Sequence, residues 1–147
     1  MPIFVRPFSE PDFDGWLALW RAYQEFYKAA IADEVSRVSV SRMLDPEEPM
    51  FGAFATDGQR ILGFVHWIFH RSNWTTGDYC YLQDLFVDEE SRGGGIGRAL
   101  IEHVYVEAEQ AGCSRVYWLT HESNLTAMRL YDRVSERSGF VQYRKMF

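Results

Sequence analysis

The sequence predicts a mixed α/β fold in a single domain that spans residues 1–147. Apolar residues follow strand and helix periodicities in turn along the chain, which is typical of a sheet covered by helices. An Asp57-Gly58 pair between two apolar runs predicts an early antiparallel hairpin. A strand, a helix and a strand then follow over residues 79–120, which predicts one β-helix-β crossover. With 47% apolar and 16% aromatic residues, the chain can bury a core.

The first half of the chain predicts a strand, two helices and the hairpin. The strand is "IFVRPF". Residues 10–30 predict a helix, because acidic residues precede a series of apolar and aromatic side chains at helical spacing. The members of this face are Phe13, Trp16, Leu17, Trp20, Tyr23, Phe26 and Tyr27. A short second helix is predicted in "SRVSVSRMLD", and the two hairpin strands in "PMFGAFATDGQRILGFVHWIFHRS".

The second half predicts a strand, a helix, a strand, a helix and a final strand. The apolar run "YCYLQDLFV" is the first of these strands, and the helix that begins at Ile96 is expected to stop at Gly112. "SRVYWLTH" is the next strand. Asn124 is expected to cap the last helix and Gly139 to close it, so that "FVQYRKMF" forms the final strand.

Charge is distributed unevenly along the chain, whose formal net charge is −6. Residues 1–90 hold 7 basic and 15 acidic residues, whereas residues 91–147 hold 8 basic and 6 acidic ones. The overall acidity argues against a general nucleic-acid-binding protein. The acidic part would attract a cationic substrate and the later part suits an anionic ligand, although an acidic surface without a functional role explains the same counts equally well.

The two cysteines and the apolar runs bear on the compartment. Cys80 and Cys113 lie in apolar contexts without a C-x-x-C spacing, and "MPIFVRPFSE" does not resemble a secretory leader. No apolar run approaches the roughly 20 residues of a membrane span. We therefore expect a cytoplasmic protein with neither a membrane nor a nucleic acid as partner.

The segment "SRGGGIGRAL" places four glycines where a helix should begin. The first amides of a helix lack internal partners and form an anion site, which glycines leave accessible and the flanking Arg92 and Arg98 would reinforce. A pyrophosphate would fit such a turn. The segment lacks the G-x-x-x-x-G-K-[ST] loop of nucleoside triphosphatases, and it also fails the G-x-G-x-x-G pattern, because Arg98 or Leu100 stands at the third glycine position.

What the turn does contain is R-x-x-G-x-G, formed by Arg92, Gly95 and Gly97 directly after "LQDLFV". Here the chain resembles the GNAT superfamily of acyl-CoA-dependent N-acetyltransferases, whose pyrophosphate loop has this form. "YWLTHESNLTAMRLYDRV" and the later Gly-Phe pair are similar to that family's following strand and helix. The resemblance implies a GNAT fold, with a mixed, mostly antiparallel sheet of about six to seven strands and a V-shaped cofactor cleft. Only Gly95 and Gly97 are demanded by the pattern, so Gly93 and Gly94 are expected to be permissive.

The resemblance also implies an activity and a set of residues. Acetyl-CoA would donate its acetyl group directly, in a ternary complex, to a primary amine of a polyamine-like molecule or a lysine, because "YLQDLFV" is similar to a strand of diamine acetyltransferases. The cofactor would contact backbone groups of Leu85, Phe86 and Val87, and further Arg92, Gly93, Gly94, Gly95, Ile96, Gly97, Arg98, Asn124, Ala127 and Tyr131. Family members often pair through their last strands, which implies a homodimer. Since Gln83 replaces an acidic residue of the diamine pattern, a non-catalytic acyl-CoA-binding module is the alternative.

An ammonium acceptor must lose a proton before it can attack the thioester. At pH 7 this costs about 4.6 kcal/mol for an amine of pKa about 10.4, so a base is required. Asp84 and Glu25 are the candidates, because each is an acid within an apolar, aromatic element. A structural bond for Asp84 and a surface position for Glu25 are the alternatives. The resemblance places the acid that protonates the thiolate at Tyr131, which periodicity alone would make a core aromatic residue.

Other conspicuous side chains predict structure more than chemistry. His66 and His70 are four apart in a strand, without an H-E-x-x-H helix, so no metal site is expected. His121 is a weak candidate for proton relay. Four tryptophans are expected mainly in the core, with a few able to line an amine pocket: Trp16, Trp20, Trp67 and Trp74.

Overall fold

A five-stranded sheet in chain order organises the protein. The computed structural model describes residues 2–147, in which the strands are β1 (Phe4–Pro7), β2 (Met50–Thr56), β3 (Ile61–His70), β4 (Tyr79–Val87) and β5 (Arg115–Tyr117). Neighbours from β1 to β4 pair antiparallel, and β4 pairs parallel with β5. The mixed, mostly antiparallel sheet is confirmed.

Four helices cover the sheet: α1 (Phe13–Phe26), α2 (Asp33–Leu44), α3 (Ile96–Gln110) and α4 (Leu125–Val134). Helix α3 connects the parallel strands β4 and β5, so the predicted crossover is confirmed. Gly112 follows α3 with a φ of 80°, and Gly58 takes a φ of 98° in the β2–β3 hairpin. Both glycines therefore occupy the left-handed conformation that their predicted roles require. None of the helices within residues 2–147 is long and apolar enough to cross a membrane.

Each face of the sheet carries its own hydrophobic core. The α3 core joins Leu100, Ile101 and Val104 of that helix to Val65 and other residues on one face. The α1 core joins aromatic side chains of that helix to the opposite face, and its buried members are Phe8, Trp16, Trp20, Val40, Phe54, Phe64 and Phe86. Alternation along β3 separates the two, because consecutive strand residues point to opposite faces.

A β-bulge in β4 interrupts this alternation. His66 of β3 pairs with Asp84, but the next residue, Trp67, pairs with Leu82, which leaves Gln83 as the extra residue. Leu82 belongs to the α3 core, and strict alternation would point Asp84 to the same side. With the bulge, Asp84 instead contacts Tyr23 of α1. The bulge therefore directs an acidic side chain to the α1 face.

The C-terminal segment corrects the predicted strand count. Five strands form among residues 2–147 rather than six or seven, and residues 135–147 contain neither helix nor strand. The predicted last strand over 140–147 is therefore wrong for this chain as it stands. Its apolar side chains have no neighbouring strand to cover them, and all are exposed: Phe140, Val141, Tyr143, Met146 and Phe147.

Three smaller expectations also need correction. Helix α4 ends at Val134, so Gly139 lies five residues beyond its last residue and does not close it, although its φ is 84°. The Asn124 side chain makes no capping hydrogen bond within the described chain. Trp74 is 90% exposed in the β3–β4 loop, whereas Trp16, Trp20 and Trp67 are buried as predicted.

Candidate active site

The glycine turn between β4 and α3 leaves the first amides of the helix without helical partners. Gly95 precedes α3 with a φ of 79°, and Gly93 has a φ of 88°. Ala99 donates its N–H to the Gly95 carbonyl, which leaves the N–H groups of residues 96–98 without helical partners. Three adjacent amides with partial positive charge form a site for an anion.

The four glycines of this turn differ in why the structure requires or tolerates a glycine. Gly93 and Gly95 require the left-handed conformation, and a Cβ at either position would have no described atom within 4 Å. Gly97 lies against α4, where a Cβ would come within 3.2 Å of Leu130 Cδ2. Gly94 has an ordinary φ, and a Cβ there would approach only Ser91 O, at 3.8 Å. The expectation that Gly93 is permissive is therefore wrong, whereas Gly94 fits it.

The two arginines beside the glycines have separate partners. Arg92 donates from Nε to Val87 O at 3.1 Å, and its guanidinium lies over the rings of Phe86 and Phe26 at 5.5 and 5.9 Å. Arg98 donates to Glu102 one turn along α3, at 2.8 Å. Arg92 thus connects the glycine turn to the end of α1.

The carboxyl half of β4 has an open edge beside this turn. Pairing between β4 and β5 covers only residues 79–81 and 115–117. Asp88 donates its N–H to Leu62 O on the β3 side, so by alternation the backbone groups of Leu85 and Val87 face the open edge and those of Phe86 face β3. The Arg92 bond to Val87 O agrees with this assignment. The result is a gap that is bordered by Leu85, Val87 and the glycine turn.

A hydrogen-bonded chain of side chains ends at Asp84. Tyr23 donates its hydroxyl to Asp84 Oδ1 at 3.1 Å, and His66 Nδ1 lies 3.0 Å from Asp84 Oδ2. Trp16 donates its indole N–H to His66 Nε2 at 2.9 Å. We call these residues the Trp16–His66–Asp84 chain. Both carboxylate oxygens of Asp84 are held, while its side chain keeps 16% of its exposure.

Three tyrosines feel the charge of Asp84, and a fourth, Tyr131, feels that of Tyr27. All four have raised pKa values. Burial is the largest cause for Tyr23, Tyr27 and Tyr81, and the negative charge of Asp84 raises each of their pKa values further. Burial raises the pKa of Tyr131 to about 12, with a contribution from Tyr27. All four phenols therefore keep their protons at neutral pH, so they can act as hydrogen-bond donors there.

Comparison with known proteins identifies the family. The sequence profile of the Acetyltransferase (GNAT) family matches residues 14–135 of this chain. The chain belongs to this family. The matched range includes the glycine turn, Asp84, His66 and Tyr131, so the resemblance inferred from the turn is confirmed.

Named relatives and a solved structure extend this result. The D-amino-acid N-acetyltransferase HPA3 of Saccharomyces cerevisiae is 35% identical over 145 residues, covering 97% of this chain and 90% of that protein. The thialysine N-epsilon-acetyltransferase of Sus scrofa is 27% identical over 144 residues, covering 92% and 84%. The structure of AAC(6')-Iy with a CoA bisubstrate analogue matches with a TM-score of 0.86 over 100% of this chain and 99% of that one. At 15% identity this last likeness concerns the fold alone.

This GNAT chain is an N-acetyltransferase, as the relatives and the family profile agree. Neither relative supports the alternative of a non-catalytic binding module. The described residues contain no group of three or more His, Cys, Asp or Glu side chains that could hold a metal ion.

The structure brings some predicted residues of the acetyltransferase together and separates others. Tyr131 lies on α4 with its ring 5.4 Å from that of Trp118 in an edge arrangement, and its phenol influences the same group of tyrosines as Asp84 does. Glu25 is exposed and lies about 200° around α1 from Tyr23. No described contact links Glu25 to Asp84, so its catalytic role stays a prediction.

Sequence reasoning missed the residues that hold Asp84. The sequence predicts Trp16 and Tyr23 on an aromatic helix face, with Trp16 also able to line an amine pocket, and His66 in a strand without a metal site; it links none of them to Asp84. The sequence does indicate which faces these residues share. Trp16 and Tyr23 are seven residues apart on one helix face, and His66 lies two residues after the buried Phe64, on the same face of the strand. His121 is exposed and contacts Ser123 Oγ at 2.6 Å, which adds no support for its role as a relay.

Proposed function

We propose that this N-acetyltransferase uses acetyl-CoA to acetylate a primary amine of a small cationic molecule, such as a diamine, a polyamine or a basic amino acid, with a lysine side chain as a further acceptor. The observation that carries the proposal is the Asp84 carboxylate, held by two donors within a group of phenol rings beside the open edge of β4. A carboxylate bordered by aromatic rings attracts an ammonium group through charge and cation–π contact. The names of the relatives, which act on D-amino acids and thialysine, favour an amine of this class.

The chain offers a place for the cofactor at the glycine turn and the open edge. The N–H groups of residues 96–98 would receive the pyrophosphate, and the space above Gly93 and Gly95, where a Cβ would have no neighbour within 4 Å, is the cradle it would fill. Leu85 and Val87 would bind pantetheine amides through their free backbone groups, whereas Phe86 faces β3 and is less suited. When bound, acetyl-CoA supplies an activated acetyl group as a thioester. Asn124 and Ala127, at the start of α4, stay predicted contacts.

Asp84 is the proposed base. Its two oxygens already accept hydrogen bonds from Tyr23 and His66, which fix the carboxylate, and each oxygen retains a further lone pair for an ammonium proton. Proton removal at pH 7 costs about 4.6 kcal/mol for an amine of pKa about 10.4, and a positioned acceptor reduces that cost within the site. Glu25 is exposed and lacks such fixing contacts, so we place it second.

Tyr131 is the proposed hydrogen-bond donor to the departing sulfur, at the position where the family resemblance implies an acid. Its pKa of about 12 keeps the hydroxyl protonated at neutral pH. A thiol has a pKa of about 8.5, so complete transfer from a phenol of pKa about 12 would be uphill by roughly 5 kcal/mol. Tyr131 would therefore stabilise the thiolate by a hydrogen bond, and water would complete its protonation.

The experiment is a turnover assay with purified protein, acetyl-CoA and a panel of amines. The panel contains spermidine, a diamine, L- and D-amino acids with basic side chains, and a lysine peptide, and release of free CoA is measured. Saturable CoA release with at least one member supports the proposal. No release above background with any member would contradict it.

We further propose that the protein is a cytoplasmic homodimer. The exposed apolar side chains of residues 140–147 have strand-like composition, and β5 has no neighbouring strand on its outer edge within residues 2–147. Pairing of that segment with β5 of a second copy would satisfy both. Cys80 and Cys113 are free thiols, which suits a reducing compartment. Light scattering with Tyr143→Asp tests the dimer, since the variant should be monomeric; a wild-type monomer would contradict it.

A further inference from the structure

The Trp16–His66–Asp84 chain constrains where hydrogens lie. An indole N–H only donates, so Trp16 makes His66 Nε2 an acceptor, at 2.9 Å. His66 Nδ1 then carries the ring hydrogen and donates it to Asp84 Oδ2, at 3.0 Å. This assignment follows from the hydrogen-bond network, as tautomers must in the absence of visible hydrogens.

Burial raises the free-energy cost of the alternative, a doubly protonated His66. Trp16 is 0% exposed and His66 is 9% exposed, so water has little access to this contact. An imidazolium would place its Nε2–H against the Trp16 N–H at a 2.9 Å separation, and one of these buried donors would lose its acceptor. The stacked ring of Phe64, 4.7 Å from that of His66, limits rotation of the imidazole away from Trp16.

We infer that Trp16 and His66 are positioning residues for acetyl transfer: Trp16 holds His66 as the uncharged Nδ1–H tautomer, and His66 holds the Asp84 carboxylate while leaving its negative charge uncompensated for the acceptor ammonium. This inference rests on the proposed role of Asp84 as the base. An imidazolium 3.0 Å from Asp84 would form an ion pair that competes with the ammonium. An uncharged donor fixes the carboxylate without that competition.

The groups that face Asp84 contribute no cation of their own. They are Tyr23 from α1, Tyr27 directly after it, and Tyr81 and His66 from the sheet. Tyr131 from α4 influences the pKa of Tyr23 electrostatically. The tyrosines keep their protons at neutral pH, because burial raises their pKa values.

The direct test is ¹⁵N NMR of the imidazole rings in the wild-type protein, with His66 assigned by the loss of its signals in His66→Gln. We expect the Nδ1–H tautomer at pH 7. In Trp16→Phe, which keeps an aromatic ring but removes the donor, we expect a mixture of tautomers and a larger imidazolium fraction at pH 6 than in the wild type. A wild-type His66 that is charged or in the Nε2–H tautomer at pH 7 would overturn the inference, and this measurement needs no folded variant of Trp16.

Trp20→Phe is the matched control. Trp20 is on the same helix face, its ring lies 5.2 Å from that of His66, and its N–H donates to Ser36 Oγ at 3.0 Å. The control therefore loses a buried indole N–H without changing the hydrogen bonds of His66. Its His66 signals should match those of the wild type, and a tautomer change equal to that of Trp16→Phe would overturn the inference.

Kinetics separates positioning from packing. For Trp16→Phe we expect the loss in kcat/KM for the amine to be about 10-fold greater at pH 6 than at pH 8.5, with the KM for acetyl-CoA within about twofold of the wild type. A loss independent of pH would assign Trp16 to packing alone. The NMR result stands by itself if no amine in the panel is acetylated, so failure of the proposed function and failure of this inference can be told apart.

Discussion

Gly97 of α3 and Leu130 of α4 approach so closely that a Cβ on Gly97 would lie 3.2 Å from Leu130 Cδ2. This contact joins the start of the helix that follows the glycine turn to the helix that carries Tyr131. The two proposed halves of the active site, the anion cradle and the hydrogen-bond donor Tyr131, are therefore in contact because Gly97 has no side chain.

Gly97→Val should damage both folding and turnover. Its two methyl groups would displace Leu130, and overpacking of this kind costs about 1–3 kcal/mol. Gly97→Ala adds one methyl group and gains up to about 1 kcal/mol of helix propensity, so its stability should stay within about 1 kcal/mol of the wild type. Urea unfolding and kcat of both variants test the contact. Equal stability of the valine variant and the wild type would show that α4 can move away from Gly97 at no cost in the free energy of unfolding.

Gly95→Val should abolish cofactor binding. The φ of 79° at Gly95 is strained for a β-branched residue, and the added side chain would occupy the cradle beside the free helix amides. Calorimetric titration with CoA should show a loss of at least about 100-fold in affinity. Gly94→Ala is the matched control, because Gly94 has an ordinary φ and room for a Cβ. It should bind CoA like the wild type, and equal losses in both variants would refute the distinction between these glycines.

Tyr131→Phe should lower turnover with cofactor binding largely intact. Removal of one positioned hydrogen-bond donor to a developing negative charge typically costs about 10²–10³-fold in rate, whereas the ring and its edge contact with Trp118 persist. We expect kcat to fall within that range and the Kd for CoA to change by less than about twofold. A large fall in CoA affinity with unchanged kcat would place Tyr131 in binding instead.

Asp84→Asn should be the most damaging isosteric change in the amine site. The amide cannot accept an ammonium proton, and its NH₂ group would face one of the two donors, Tyr23 or His66. We expect a loss of about 10²–10⁴-fold in kcat/KM for the amine at pH 7, measured beside Glu25→Gln, which should retain most activity. If Glu25→Gln loses more activity than Asp84→Asn, the order of the two candidate bases is reversed.

Asp12 provides a pH-dependent contribution to stability. Arg6 donates to both carboxylate oxygens, at 2.7 and 2.8 Å, and this hydrogen bonding lowers the pKa of Asp12 to about 2. A lowered folded-state pKa stabilises the fold above the unfolded value near 4, and that contribution disappears as the pH falls through about 2. Because Arg6 is partly exposed, we expect Asp12→Asn to cost about 1–2 kcal/mol at pH 7. Urea unfolding from pH 7 to pH 2 should show the two proteins converging toward low pH; a constant difference would exclude the ion pair.

Local signals predicted most of the fold. The Asp57-Gly58 turn, the stop at Gly112 and the crossover around α3 each depend on conformational preferences of nearby residues, and all three are present. The final strand failed because its existence depends on a neighbouring strand, which residues 140–147 cannot specify by themselves. An alternating apolar pattern indicates that a segment could form a strand, but it does not indicate whether the sheet has a free edge with which that strand can pair.

The candidate site was predictable to the extent that it is continuous in sequence. The glycine turn could be found because its residues are consecutive, and Tyr131 because a family pattern extends that far. The Trp16–His66–Asp84 chain could not, since Trp16 is 50 residues from His66 and His66 is 18 from Asp84. The contact between His66 and Asp84 also depends on a bulge that alternating hydrophobicity does not encode.

One inserted residue, Gln83, is absorbed by the bulge and so does not change which side of the sheet receives the negative charge. Without the bulge, strict alternation from Leu82 would move Asp84 into the apolar layer around Leu100 and Val104, where an unpaired carboxylate is not tolerated. Deleting Gln83 would remove the bulge and bring Asp84 directly after Leu82, so both side chains would keep their present faces. A deletion at this point should therefore yield soluble protein in which Asp84 still faces α1, and a change in acetylation would report the loss of the bend and twist that the bulge gives to β4.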